Sequence, residues 1–160
     1  MRLFIAIPLS AEMKAALKQT QDYLSRRGVR GNYSPEENFH ITLAFIGEYP
    51  EPDDVLDVLS SVPFQSTEIR LSGFGSFGDL LWAGIEKNNA LESYVKRLRR
   101  ALPEADIPFD RKRFSPHITL IRRATGKIPG VTIPPVQMNA DHATLFRSDR
   151  GKNGMIYTEL

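Results

Sequence analysis

The chain has no cysteine and no long apolar run among its 160 residues. Without cysteine it can form no disulfide, no thiolate nucleophile and no cysteine-ligated metal site. The one apolar stretch at the amino terminus is short and is interrupted by Pro8, so residues 3–9 are predicted to form a β-strand, not a signal peptide or a membrane span. We therefore expect a cytoplasmic protein with no membrane contact.

Motifs that define several common enzyme classes are also missing. There is no Gly-x-Ser-x-Gly elbow for a serine nucleophile. The glycine- and phenylalanine-rich segment 73–78, a predicted loop, lacks the Lys-Ser/Thr ending of a phosphate-binding loop. The length and the ordinary composition, 41% hydrophobic and 25% charged, predict one globular domain over residues 1–160.

Charge is distributed unevenly, although the net charge is only +2. Residues 1–80 carry 7 Lys and Arg against 11 Asp and Glu, whereas residues 81–160 carry 14 against 8. Any one basic cluster is more often solvated surface than a site, but together the clusters favour an anionic ligand such as a phosphate. The net positive charge of the chain is far below that of a protein dedicated to binding duplex nucleic acid.

All three histidines begin the same frame, His-x-Thr-Leu, at His40, His117 and His142. The first two frames are identical and lie 77 positions apart. On a strand, a histidine and the threonine two residues later share a face, so Thr42 and Thr119 would accompany their histidines. Two such strands brought together would place two imidazoles and two hydroxyls around one pocket.

The chain is also predicted to contain an internal duplication. A helical apolar pattern begins at Met13 and recurs at Leu91, 78 positions later, each time between a predicted strand and a His-x-Thr strand. We expect an α+β protein with two pseudo-symmetric antiparallel-sheet lobes, helices outside and a central cleft. The remaining predicted elements are a loop over 28–38, a helix over 53–62, a strand near 67–71, a connector over 128–135 and a hairpin formed by 136–147 and 155–160.

These observations favour acid/base chemistry at a phosphate. Zinc prefers three or four N, O or S ligands, and threonine hydroxyls are poor ones. One neutral and one protonated imidazole can take and give the protons of an in-line displacement, while hydroxyls and an arginine offset the phosphate charge. His142 lacks the upstream strand and helix, so we interpret it as a structural or surface histidine. The residues alone do not say which of His40 and His117 is the acid.

In these residues the chain resembles the 2H phosphoesterase superfamily, and more closely its RNA 2′,3′-cyclic phosphodiesterase branch, first named 2′-5′ RNA ligases. The resemblance rests on residues 4–7, 37–48, 114–122, 145–148 and 154–157. It implies a bilobal fold and metal-independent opening of a 2′,3′-cyclic phosphate at an RNA end to a 2′-phosphate, without a cofactor. It also implies that His40 is the proton donor and His117 the proton acceptor, with Thr42 and Thr119 holding the phosphate.

Two positions depart from the family pattern. Strict strand alternation would place Arg123 on the His117 face, whereas the family places its arginine where this chain has Arg122. A β-bulge between His117 and Arg122 would reconcile the two patterns. We therefore predict that Arg122 is the arginine beside the phosphate. Tyr33 stands where the family often has tryptophan, and it either stacks on a base or has a core or surface role.

Other functions would use the same residues. They are 2′-5′ ligation of a 5′-hydroxyl end to the cyclic phosphate, 2′-5′ phosphodiester cleavage, and a non-catalytic module that binds RNA ends. The expected partners are RNA or oligonucleotide ends that bear a cyclic phosphate, and the expected oligomeric state is a monomer.

Overall fold

The computed structural model describes residues 1–160 and contains two antiparallel sheets and three α-helices, which confirms the predicted α+β class. None of the helices has the length and hydrophobicity that crossing a membrane would require. The nine strands are β1 (Arg2–Pro8), β2 (Arg30–Tyr33), β3 (His40–Glu48), β4 (Thr67–Phe77), β5 (Leu80–Ile85), β6 (His117–Thr125), β7 (Gln137–Ala140), β8 (Thr144–Gly151) and β9 (Gly154–Glu159).

Each sheet contains one of the two His-x-Thr strands. The first sheet has the order β3-β1-β8-β9, and the second has the order β2-β6-β5-β4-β7. The inner residues Leu3 to Ile7 of β1 are buried, as expected of an apolar strand with neighbours on both edges. A cluster of 33 buried hydrophobic residues draws on both sheets and on the helices.

The helices begin close to the predicted positions. The first helix, α1 (Ala11–Arg26), is capped by the Ser10 side chain, and the third, α3 (Asn89–Glu104), by the Asn88 side chain. Between them, α2 (Pro52–Ser61) has proline in its first turn. The patterns predicted to begin at Met13 and Leu91 continue at i+3, i+4, i+7 and i+11, and these positions are buried in both long helices; they are Met13, Ala16, Leu17, Thr20 and Leu24 in α1 and Leu91, Tyr94, Val95, Leu98 and Leu102 in α3.

Three segments differ from the prediction. The predicted loop 28–38 contains β2 and a short 3-10 helix, and the predicted loop 73–78 belongs mostly to β4. The predicted strand 136–147 is divided, because β7 pairs with β4 in the second sheet while β8 pairs with β1 and β9 in the first. The strands that the prediction missed, β2 and the second half of β4, are polar or rich in glycine and lack an alternation of apolar and polar residues. They form because neighbouring strands supply hydrogen-bond partners.

A β-bulge follows the threonine of each His-x-Thr strand. In β3, Thr42 and Ala44 pair with consecutive residues of β1, so Leu43 is the extra residue. In β6, Thr119 and Ile121 pair with consecutive residues of β5, so Leu120 is the extra residue. Continuing the alternation of His40 and Thr42 predicts Ala44 and Ile46 on the same polar face, but both are buried, so that prediction is wrong after Leu43.

Gly31 lets β2 approach β6 closely beside the bulged end of β6. Its φ is +149°, and a Cβ there would lie 2.8 Å from the Arg122 carbonyl oxygen and 2.8 Å from Ile121 Cγ2. We expect Gly31→Ala to lower the free energy of unfolding by about 2 kcal/mol, because backbone and core atoms would have to move apart. Urea unfolding measures this. Gly130→Ala, with nothing within 4 Å of its Cβ, is the control and should change it by less than about 0.5 kcal/mol; equal stability of the two variants would contradict the prediction.

Candidate active site

The two motif histidines are held in the same way by backbone carbonyl groups. His40 Nδ1 donates to the Asn38 carbonyl oxygen at 2.7 Å, and His117 Nδ1 donates to the Ser115 carbonyl oxygen at 2.7 Å. In each case the acceptor lies two residues before the histidine. Because a carbonyl only accepts, both rings carry a proton on Nδ1, and Nε2 is the atom left to gain or lose a proton.

Aromatic rings fix the plane of each imidazole. The ring of Tyr157 from β9 meets His40 edge to face, with centroids 5.3 Å apart and an interplanar angle of 89°. The ring of Phe77 from β4 meets His117 in the same manner at 5.1 Å and 88°. Phe4 also packs against His40 at 4.9 Å. Both imidazoles are therefore restrained by a carbonyl on one ring edge and by an aromatic neighbour.

The structure distributes the four motif side chains between two cavities. A cavity of about 590 Å³ is lined by His40, Thr119 and Arg122, together with Tyr33 and Tyr157. A second cavity of about 470 Å³ is lined by His117 and Thr42. Each cavity thus combines the histidine of one motif with the threonine of the other, as expected if the two strands face each other across a cleft. We call them the first and the second cavity.

The arginine of the second motif lies on the site side because β6 is irregular. Leu120 and Ile121 are both buried, which ends the alternation and exposes Arg122 to the first cavity. Arg123 adopts a left-handed backbone conformation with φ of +54° at a second irregularity, where β6 pairs with β2. The structure therefore contains a bulge of the kind that reconciles strand alternation with Arg122.

Burial lowers the pKa of His40 below its ordinary value of 6.5. The hydrogen bond to the Asn38 carbonyl opposes this effect, whereas the nearby charges of Arg122 and His117 lower the pKa further. The Thr42 hydroxyl lies 2.8 Å from His40 Nε2 and donates to it when the ring is neutral. These effects bias His40 towards the neutral form, and a bound phosphate anion would favour its protonation.

The effect of Arg122 on His40 is open to direct measurement. We expect an NMR titration of the His40 ring to give a pKa below 6.5, and Arg122→Gln to raise it because a nearby positive charge is removed. Arg123→Gln removes the adjacent arginine, which is not among the groups that shift the pKa of His40, and should leave that pKa unchanged. An unchanged His40 pKa in Arg122→Gln would show that Arg122 does not face this histidine.

The other two predicted positions lie in different settings. Tyr33 lines the first cavity, and its hydroxyl donates its proton to the Val29 carbonyl oxygen at 2.6 Å. Burial raises the pKa of this hydroxyl. His142 is exposed between β7 and β8, where its Nδ1 lies 2.6 Å from Asp141 Oδ1, and it lines neither cavity.

Several residues around the motifs were not identified from the sequence. Asn38 holds His40 through its carbonyl and donates its side-chain amide to the Met155 carbonyl oxygen at 2.9 Å. Tyr157 and Phe77 come from strands outside the duplicated units, so the repeat gave no reason to select them. Two signals were available: the position of Asn38 two residues before His40, matched by Ser115 before His117, and the presence of Tyr157 in the 154–157 segment of the family resemblance.

No three His, Asp or Glu side chains of the structure lie together in a group that could hold a metal ion. The arrangement can instead supply two imidazole Nε2 atoms, two hydroxyl donors and one guanidinium. Such a set is suited to proton transfer and to binding the non-bridging oxygens of a phosphate.

The fold and the two motifs define a two-histidine phosphoesterase architecture, and comparisons with known proteins agree. Residues 11–152 match the family model described as the 2'-5' RNA ligase superfamily. The RNA 2',3'-cyclic phosphodiesterase of Thermus thermophilus is 32% identical in an alignment that covers 100% of this chain and 88% of the relative. The protein of the same name from Thermotoga maritima is 29% identical, with 100% and 93% covered.

Solved structures give the same result. The protein TT0787 of Thermus thermophilus superposes with a TM-score of 0.85 at 30% identity, covering 100% of this chain and 95% of that one. LigT of Escherichia coli in complex with 3'-AMP has a TM-score of 0.85 at 26% identity, with 99% and 94% covered. The chain belongs to the 2′-5′ RNA ligase superfamily, which confirms the resemblance seen in its two tetrapeptide motifs.

Proposed function

We propose that this protein hydrolyses the 2′,3′-cyclic phosphate at an RNA end to a 2′-phosphate by acid/base catalysis with two histidines. The observation that carries the proposal is the matched pair of imidazoles, each with Nδ1 bonded to the carbonyl two residues earlier. The relatives named RNA 2',3'-cyclic phosphodiesterase support the choice of substrate.

In the proposed reaction His117 Nε2 takes a proton from a water molecule as its oxygen attacks phosphorus. The bond from phosphorus to the ribose 3′ oxygen breaks on the opposite side, and protonated His40 gives its Nε2 proton to that oxygen. The products are a 2′-phosphate and a 3′-hydroxyl. Thr42 and Thr119 donate hydrogen bonds to the non-bridging oxygens, and Arg122 offsets their negative charge.

The second cavity supports a nucleic-acid substrate. Beside His117 and Thr42 it is lined by the aromatic rings of Phe45, Phe77 and Phe114 and by the cationic groups of Lys112 and Arg113. Aromatic rings stack on nucleobases, and cations attract the phosphate backbone. In the first cavity we propose that the ring of Tyr33 contacts a base. All these groups come from one chain, so we propose that the protein acts as a monomer, in the cytoplasm.

The test is incubation with a short RNA that ends in a 2′,3′-cyclic phosphate, in the presence of EDTA, with the products separated by chromatography. We expect conversion to the 2′-phosphate isomer and no 3′-phosphate. Activity that appears only on addition of a metal ion, or binding without turnover, would contradict the proposal.

A 5′-hydroxyl oligonucleotide added to the same assay distinguishes the ligase alternative, because that oligonucleotide would replace water as the nucleophile. We expect the 2′-phosphate to remain the main product. A joined 2′-5′ product as the main species would assign ligation to the site, and cleavage of an internal 2′-5′ linkage in preference to the cyclic end would assign phosphodiester cleavage.

A further inference from the structure

Two polar side chains, one on each long helix, bond to the carbonyl oxygens at the two bulges. Gln21 Nε2 donates to the Leu120 carbonyl oxygen at 2.9 Å. Arg99 donates to the Leu43 carbonyl oxygen through Nε at 3.1 Å and through Nη2 at 2.9 Å. Leu43 and Leu120 end the two His-x-Thr-Leu frames, so each helix holds the motif of the other half of the chain.

The same two side chains also bond to the walls of the cavities. Gln21 Nε2 donates to the Ser34 carbonyl oxygen at 2.8 Å, and Ser34 lines the first cavity. Arg99 Nη1 donates to the Lys112 carbonyl oxygen at 2.6 Å, and Lys112 lines the second cavity. Each side chain thus connects a motif strand to the segment that forms the adjacent cavity wall.

The two sets of bonds are related by the internal duplication. Gln21 and Arg99 lie 78 positions apart, and so do their second acceptors, Ser34 and Lys112. The helices that carry them repeat at the same interval. A neutral amide and a guanidinium at equivalent positions differ in charge and size, yet both bridge two equivalent carbonyl oxygens. Gln21 is only 1% exposed, so its amide has no access to bulk water as an alternative partner.

We propose that Gln21 and Arg99 are positioning residues, each of which fixes the register of one His-x-Thr strand at its bulge. A bulge leaves a carbonyl outside the regular ladder, and that carbonyl needs a donor. A slip of one residue at this point would turn neighbouring side chains to the opposite face. The proposal rests on the function proposed above, because it concerns the placement of the histidines and threonines that carry out that reaction.

The kinetic test uses Arg99→Met and Gln21→Met, which keep most of the side-chain volume and remove the donors. At a temperature well below unfolding we expect kcat on the cyclic-phosphate RNA to fall about 30-fold while KM changes less than about threefold, because misplacement by a fraction of an ångström to about 1 Å slows the chemical step. Arg99→Lys keeps the charge but lacks the planar fork that bridges two carbonyls, and it should remain impaired. Full activity of Arg99→Lys would overturn the bridging role.

Matched controls separate positioning from general stability. Arg97 also lies on α3 and donates to a backbone carbonyl, that of Pro63 at 3.2 Å, which is outside the site. Thr20 lies beside Gln21 and donates to the Ala16 carbonyl at 3.2 Å. Arg97→Met and Thr20→Val should keep kcat within about twofold even where they lower the melting temperature. Equal losses of kcat in the controls would show that Gln21 and Arg99 stabilise the fold in general and do not specifically position the motif strands.

NMR of the histidine rings gives a measurement independent of turnover. Arg99→Lys, which keeps the positive charge at the second cavity, should shift the ring signals of His40 more than those of His117, and Gln21→Met should do the reverse. If the wild-type protein failed to open the cyclic phosphate, these shifts would still appear. In that case the proposed function would be wrong, but the positioning role would not be contradicted. If turnover were present but the variants neither moved the ring signals nor lowered kcat, the positioning role would be wrong.

Discussion

Replacing either motif histidine with alanine is expected to lower kcat about 1,000-fold on an RNA that ends in a 2′,3′-cyclic phosphate. His40→Ala removes the proton for the leaving 3′ oxygen, and His117→Ala removes the base that activates water. The double variant should be only slightly slower than either single one, because the two groups act together in one step. Single-turnover conversion with EDTA present measures all three.

The chain carries its own control in the third His-x-Thr-Leu frame. His142→Ala removes an exposed histidine from the same tetrapeptide and should leave kcat within about twofold. Thermal unfolding of each variant, followed in parallel, separates loss of chemistry from loss of fold. Equal activity of His40→Ala, His117→Ala and His142→Ala would contradict the assignment of the site.

A sulfur substrate distinguishes the acid from the base. When the bridging 3′ oxygen of the cyclic phosphate is replaced by sulfur, the leaving thiolate needs little help from a proton donor, because thiols have a pKa of about 8.5. His40→Ala should therefore recover most of its lost rate on this substrate, whereas His117→Ala should remain slow. Recovery of the rate in His117→Ala alone would show that His117 is the proton donor and His40 the proton acceptor.

Removing either motif hydroxyl is the second large effect that we expect. Thr42→Val and Thr119→Val keep the shape and the β-branch of the side chain but remove the donor to a non-bridging oxygen of the phosphate. Loss of one such donor lowers kcat about 100-fold, because charge on these oxygens is stabilised most strongly in the transition state. Thr42→Val also removes the partner of His40 Nε2, which lies 2.8 Å from the Thr42 hydroxyl.

Serine variants of the two motif threonines, and a valine variant in the His142 frame, are the controls for this experiment. Thr42→Ser and Thr119→Ser retain the hydroxyl and should stay within about tenfold of the wild type. Thr144→Val makes the same change in the frame of His142 and should have little effect on kcat. If the valine variants raised KM without lowering kcat, the hydroxyls would contribute to ground-state binding alone.

Much of the fold was predictable because the apolar spacing of α1 and α3 repeats 78 residues apart. The strands that the prediction missed, β2 and the second half of β4, carry polar and glycine residues whose pattern does not distinguish strand from loop. They form through pairing with β6 and β5, and such long-range partners are not visible in a local window.

The candidate site could be predicted from the sequence only in its side chains. His40, Thr42, His117 and Thr119 were selected because they belong to a repeated tetrapeptide, and their placement in paired cavities follows from the repeat. The backbone groups of Asn38 and Ser115 were not identified, because every residue has a carbonyl and its direction depends on the fold. Arg122 required a bulge, which the sequence could suggest but not locate.

The pH dependence of kcat/KM on the cyclic-phosphate RNA tests most directly whether two imidazoles act as a pair. The base must be neutral, so activity should fall at low pH, and the acid must be protonated, so activity should also fall at high pH. We expect a bell-shaped profile between about pH 5 and 8, with one limb missing in each single histidine variant. A flat wild-type profile over this range would contradict catalysis by a pair of histidines.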